Sequence, residues 1–131
     1  ASASVSGTAF LSTPQSLFSS SQKSLIISSS STHTLRTMNF DYARNTLGWG
    51  EGVDGRGLAN ETSRESAEWV GSVEGRKVYD EAVKGGDVSR IVTWAGSSVG
   101  EVKNGVGAEE VVRGMEKEAV ETLRELGSLL T

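Results

Sequence analysis

The strongest periodicity in the chain lies near its carboxyl end. Val112, Met115, Ala119, Leu123, Leu126 and Leu130 recur at spacings of 3, 4, 4, 3 and 4. Glu109, Glu110, Glu116, Glu118, Glu121 and Glu125 fall mostly on the other face. That pattern predicts a helix of about 20 residues with one stripe buried against a core. Two shorter amphipathic helices are expected at Asn60–Val70 and Arg76–Val83, joined around Gly71–Gly75. Gly85-Gly86 stops the second, because glycine takes the left-handed conformation at a helix end without steric cost. Gly48 to Gly57 holds five glycines in ten residues and is expected to be a loop.

The amino-terminal third is patterned differently. Ala1–Leu11 mixes small and apolar residues around Gly7-Thr8 and predicts a short buried strand that turns at glycine. Pro14, with Thr13 as N-cap, suits the start of a helix placing Leu17, Phe18, Leu25 and Ile26 on one face. The serine runs at 19–21 and 28–31 weaken it, since their hydroxyls compete for backbone groups. Thr34–Phe40 alternates again and reads as a strand or extended segment. The chain thus divides into residues 1–40, a glycine-rich loop with short helices at 41–107, and the carboxyl-terminal helix at 108–130.

Composition narrows the chemistry. The 131 residues fit one ordinary domain, and a closed eight-stranded barrel needs roughly 250. Thirteen cations against 17 carboxylates give a net −4, which offers no general attraction to nucleic acid or anionic lipid. The absence of cysteine excludes disulfides, thiolate metal sites and a thiol nucleophile, and a single histidine excludes sites that need two imidazoles. No apolar run exceeds three residues, so no membrane span is expected. Residues 1–40 contain no carboxylate, and thirteen serines fall within the first 31 positions. That composition also suits an organelle transit peptide. Arginine is scarce there, however, and the segment reads as structured protein, so a cytoplasmic location is expected.

Few residues invite a functional reading. Val5-Ser6-Gly7-Thr8 is a glycine turn with a hydroxyl neighbour, able to bring successive N–H groups and one O–H to an anion. A purely structural turn explains it as well. Trp94-Ala95-Gly96-Ser97-Ser98-Val99-Gly100 is a second glycine-spaced loop, without the lysine of a phosphate loop. Asp54-Gly55-Arg56-Gly57 either forms a tight turn or orients an arginine toward an anion. His33, in a serine-threonine stretch, reads as a solvated loop residue. Trp49, Trp69 and Trp94 are too scattered for a nucleic-acid stacking platform.

Taken in order, several segments resemble one family, the flavin-dependent nitronate monooxygenases, in their carboxyl-terminal part and especially in fungal members. Ser6-Gly7-Thr8-Ala9-Phe10-Leu11 is similar to the family's segment ending a late barrel strand. Thr34-Leu35-Arg36-Thr37, Gly48-Trp49 and Asp54-Gly55-Arg56-Gly57-Leu58-Ala59-Asn60 resemble the strand and loop that follow. Lys77-Val78-Tyr79-Asp80-Glu81-Ala82 with Gly86-Asp87 resembles the next helix and its stop. Trp94-Ala95-Gly96 through Val99-Gly100, then Ala108-Glu109-Glu110-Val111-Val112, resembles the closing loop and last helix. Gly50 and Ser97 replace residues usual in the family, and residues 12–32 form a serine-rich tract where it has a charged helix.

The resemblance implies an α/β fold: a partial, carboxyl-terminal piece of an FMN-binding TIM barrel, mostly helical with one or two short strands. It implies FMN as cofactor, with an alkyl nitronate and O₂ as small-molecule substrates, giving a carbonyl compound and nitrite. By position it assigns Val5, Ser6, Gly7 and Thr8 to the flavin phosphate. It assigns no catalytic residue and no metal ligand, because the family's alanine-glycine-glycine-histidine segment has no counterpart here. The competing reading is a small non-catalytic helical protein whose last helix docks in a partner groove.

Overall fold

The computed structural model describes residues 6–102 and 104–129, and within them the protein is mostly helical with two antiparallel strands. Helix α1 is a single turn at Thr8–Leu11 and α2 spans Ser20–Ile27. Strand β1 is Thr34–Thr37, α3 is Asn39–Arg44, and β2 is Gly55–Leu58. Three helices follow in quick succession: α4 at Glu61–Arg64, α5 at Ala67–Gly71 and α6 at Val73–Gly85. The long last helix, α7, is Ala108–Ser128. Short 3₁₀ turns stand at Ser31–His33 and Ser97–Glu101.

Helix starts follow the capping chemistry of the sequence. Ser19 caps α2 in a reciprocal arrangement with Gln22, while Ser66 and Ser72 accept the first free N–H groups of α5 and α6. These hydroxyls satisfy donors that a helix start leaves without partners. The serine-rich tract therefore delays its helix to Ser20 rather than abolishing it, and residues 12–18 form turns instead of the helix expected from Pro14. Gly86, at φ +67°, ends α6 where the double glycine predicts. The helix expected over Asn60–Val70 is divided, because Ser66 leaves the helical conformation and caps a new turn.

Strand β1 pairs antiparallel with β2, with Thr34 opposite Leu58 and Arg36 opposite Arg56. The glycine-rich stretch expected to be a loop thus contributes half the sheet. A third extended segment lies along β2: Leu58 N–H donates to Thr93 at 2.9 Å and Ala95 N–H to Arg56 at 3.1 Å. Gly55 is required by this packing. A Cβ there would collide with the Trp94 ring, which also meets Phe40 edge-to-face at 5.6 Å.

Two apolar clusters hold the body together. Ile26, Leu58, Ala95 and Val99 form one, with Leu11 and Phe18 against it; Ala43, Val70 and Tyr79 form the other. Helix α7 belongs to neither. It leaves the body beside α1, with Gly107 N–H bound to Glu110 at 2.8 Å and Ala108 N–H to Gln15 at 3.2 Å. None of its residues is buried: Val112 is 55% exposed, Leu123 69% and Leu126 54%. The expectation of a buried stripe is corrected by this. The helix forms where the periodicity places it, but past its base, where Met115 shares a cavity with Ala9, Val102 and Val106, the described body has no surface laid along its stripe.

Candidate functional site

The strand expected over Ala1–Leu11 is, in its described part, a helical turn that begins after Gly7. Gly7 has φ −125°, a value open to any residue, so its backbone conformation does not demand glycine. Of the four residues assigned to the flavin phosphate, Val5 lies outside the described residues. Ser6 borders the groove beneath α7. Gly7 and Thr8 open on the other side, into a groove of about 290 Å³ shared with Leu11, Arg56, Trp94 and Gly96.

That groove brings together three segments far apart in the chain. Gly96 N–H donates to the Thr8 hydroxyl oxygen at 2.9 Å, tying α1 to the turn after Trp94 across 88 positions. The hydroxyl accepts this bond and keeps its own proton as a donor. Arg56 arrives from β2, where it is the exposed residue of the strand. Its Nη1 donates to the Thr34 hydroxyl at 3.1 Å. Arg36, directly across the ladder, is neutralised by Asp54 at 2.6 Å. Arg56 forms no such ion pair among the described residues. Arg56 and Thr8 thus border a groove whose exposed lining is almost wholly apolar, beside an open glycine face: a Cβ at Gly7 would meet nothing within 4 Å. Guanidinium and hydroxyl donors are the groups that bind a phosphate monoester. Arg56 and Thr8 carry donors of that kind at the border of the groove, while the rest of its lining is apolar.

The sequence presents Gly7-Thr8, Asp54–Gly57 and Trp94–Gly100 as separate weak motifs. Their meeting at one groove depends on the β1–β2 ladder and on the third segment bound along it. Gly55–Gly57 of that run is strand rather than tight turn, with Asp54 just before it, and that is what delivers Arg56.

Other polar groups hold the site's framework. Asp41 is buried and accepts from the Thr46 hydroxyl at 2.8 Å and the Trp49 indole at 3.2 Å. Asn39, also buried, donates to the carbonyls of Thr62, Ser63 and Glu65. Arg90 bridges Glu61 and Glu65 at 2.8 and 3.0 Å. Tyr79 accepts from Val92 N–H at 3.0 Å, and burial raises its phenol pKa above the ordinary value. Sequence reasoning missed Asp41 and Asn39, which carry no local signal that they are buried. His33 is exposed, as expected, and its Nδ1 accepts from Ser30 N–H at 3.0 Å.

A mostly helical chain with a shallow groove where three distant segments meet is what the geometry alone defines. Comparison with known proteins adds two relatives. The chain is similar to a nitronate monooxygenase of Neurospora crassa, 37% identical over 82 residues, covering 63% of this chain and 21% of the relative. It is also similar to a nitronate monooxygenase of Metarhizium robertsii, 29% identical over 114 residues, covering 82% of this chain and 32% of the relative. The resemblance read from the ordered motifs is borne out by these two fungal proteins. The chain spans about a fifth to a third of their length. No family model and no solved structure matches it.

Proposed function

We propose that this chain is a carboxyl-terminal portion of an FMN-dependent nitronate monooxygenase on a TIM barrel, and that its part is to hold the flavin phosphate. The observation that supports this most is the convergence of Gly7, Thr8, Arg56 and Gly96 at one groove, in a chain similar to two nitronate monooxygenases. FMN supplies the redox chemistry when bound, carrying the oxidation of an alkyl nitronate by O₂ to a carbonyl compound and nitrite. Arg56 would neutralise part of the phosphate charge, and the Thr8 hydroxyl would donate to one of its oxygens. The Thr8–Gly96 bond would hold both sides of the groove in register. Val5 and Ser6 keep the assignment that the resemblance gives them. No residue here is assigned as base, so proton abstraction belongs to other parts of the enzyme.

The test separates the phosphate from the rest of the flavin. Inorganic phosphate, FMN and riboflavin are titrated into the 131-residue chain and followed by amide NMR shifts. Phosphate and FMN are expected to move the Gly7, Thr8 and Gly96 amides with about millimolar affinity, and riboflavin is expected not to. Arg56→Ala should weaken both by roughly 10-fold, in line with the ~1.5–3 kcal/mol of a charged hydrogen bond. Thr8→Ala should weaken them less. Equal shifts from riboflavin and FMN, or shifts that ignore Arg56→Ala, would overturn the assignment.

A further inference from the structure

Helix α7 runs for 21 residues, about 31 Å at 1.5 Å per residue. Around its axis, Val112, Met115, Ala119, Leu123 and Leu126 share one side. Both edges of that stripe are acidic at helical spacing. Glu109 and Glu116 border one flank and Glu118 and Glu125 the other, while Arg113, Lys117 and Arg124 stand at the back. Two of those cations are engaged in ion pairs along the helix, Arg113 with Glu109 and Lys117 with Glu121.

A second feature of the same kind lies at the foot of the helix. A cavity of about 220 Å³ has an apolar floor that includes Ala9, Val102 and Val106, and carboxylates of Glu101, Glu110 and Glu118 at its border. Met115 lines both this cavity and the stripe, so the two form one continuous surface. Glu101 comes from a different element, the 3₁₀ turn at Ser97–Glu101, and still repeats the pattern of an apolar floor with acidic edges.

We infer that this surface docks an amphipathic helix of a partner protein whose apolar stripe is edged by lysine and arginine. Exposed apolar area of this extent marks an interaction site, and edge charges select the partner of a helix pair. A second copy of this chain would lay glutamates against glutamates along both edges, whichever way it ran. A basic-edged helix would lay cations there and could seat its terminal apolar side chain in the cavity. The inference does not draw on the groove of Gly7, Thr8, Arg56 and Gly96, although Ser6, assigned to the phosphate by resemblance, also borders the cavity.

The experiment uses the full 131-residue chain and two synthetic helical peptides with the same leucine stripe, one edged by lysine and one by glutamate. Binding is measured by fluorescence anisotropy. The lysine-edged peptide is expected to bind with Kd on the order of 1–100 µM and at least ~10-fold more tightly than the other. Raising salt from about 0.05 to about 0.5 M should weaken it severalfold. The double variant Leu123→Ser with Leu126→Ser should lose ~10-fold or more, with circular dichroism reporting whether the helix is retained. The triple reversal Glu116→Lys, Glu118→Lys and Glu125→Lys should invert the preference between peptides, which nonspecific charge attraction to the rest of the chain cannot do. Equal binding of the two peptides, or no inversion by the triple reversal, would overturn the inference. So would a dimer in sedimentation that Leu123→Ser dissociates, which would give the surface to a second copy.

Discussion

The body and the last helix of this protein are built from similar local ingredients and end in opposite environments. Helix α6 and helix α7 both show an apolar stripe at helical spacing and acidic residues in the first turn. In α6 the stripe finds partners: Tyr79 and Ala82 are buried, with Tyr79 packed against Ala43 and Val70. In α7 nothing is buried, and the helix rests on propensity, its i,i+4 ion pairs and its contacts at the base. Amphipathicity thus reports that a helix has a face to cover, not what covers it. Most helical stability in proteins comes from packing of that face, so the two elements should respond very differently to the same kind of change.

Phe40 is the strongest lever on the body, since it is fully buried and braces Trp94 against β2. Phe40→Ala is expected to cost about 3–5 kcal/mol, read as a large fall in the chemical-denaturation midpoint. A loss below ~1 kcal/mol would mean that the body is loosely packed and that the contrast with α7 is false. Next comes Asn39, whose side-chain amide serves the end of α4. Asn39→Ala leaves up to three carbonyl groups short of a donor and should cost about 1–3 kcal/mol. Asn39→Asp should fare no better, because a carboxylate cannot donate to those carbonyls.

Tyr79 sharpens the comparison through pH. Burial raises its pKa above the unfolded value of ~10, so folding favours the protonated phenol. Its contribution is fully present below about pH 10 and is lost as the pH rises toward and through the folded pKa. Stability measured between about pH 9 and pH 11 should therefore fall, and Tyr79→Phe should flatten part of that fall. An unchanged slope in the variant would place the loss on other groups. The smallest effect is expected at Leu123, where the sequence pattern alone would place a core residue worth about 2–5 kcal/mol. At 69% exposure, Leu123→Ala should change stability by under ~0.5 kcal/mol. A drop comparable to that of Phe40→Ala would show that the stripe is covered in solution.

Much of the local structure was legible from residue order. The α6 stop at Gly86, the extent of α7 and the first four residues of the expected Thr34–Phe40 strand follow from rules that act within a few positions, whereas Asn39 and Phe40 instead open helix α3. The serine caps belong to the same class, although their effect was to divide and delay helices where periodicity alone predicted continuous ones. The site was legible only in pieces. Gly7 and Thr8 were singled out as anion contacts and Arg56 as one of two readings of a glycine-rich run, but nothing in the sequence joined them. Asp41 and Asn39 were invisible, since burial of a polar side chain depends on partners 5 to 26 positions away.

The sequence by itself therefore determined the helices, their caps, the amphipathic faces and, through ordered motifs, the similarity to nitronate monooxygenases. These are consequences of short-range sterics, hydrogen bonding and side-chain period. Only the tertiary structure decided that a glycine-rich stretch would pair as β2, because ladder formation requires a partner strand and small residues beneath Trp94. It also decided that Thr8 would meet Gly96 beside Arg56, a contact fixed by packing rather than by any local preference. The fate of the α7 stripe was settled the same way: burial is a property of two surfaces, and a sequence pattern describes only one of them.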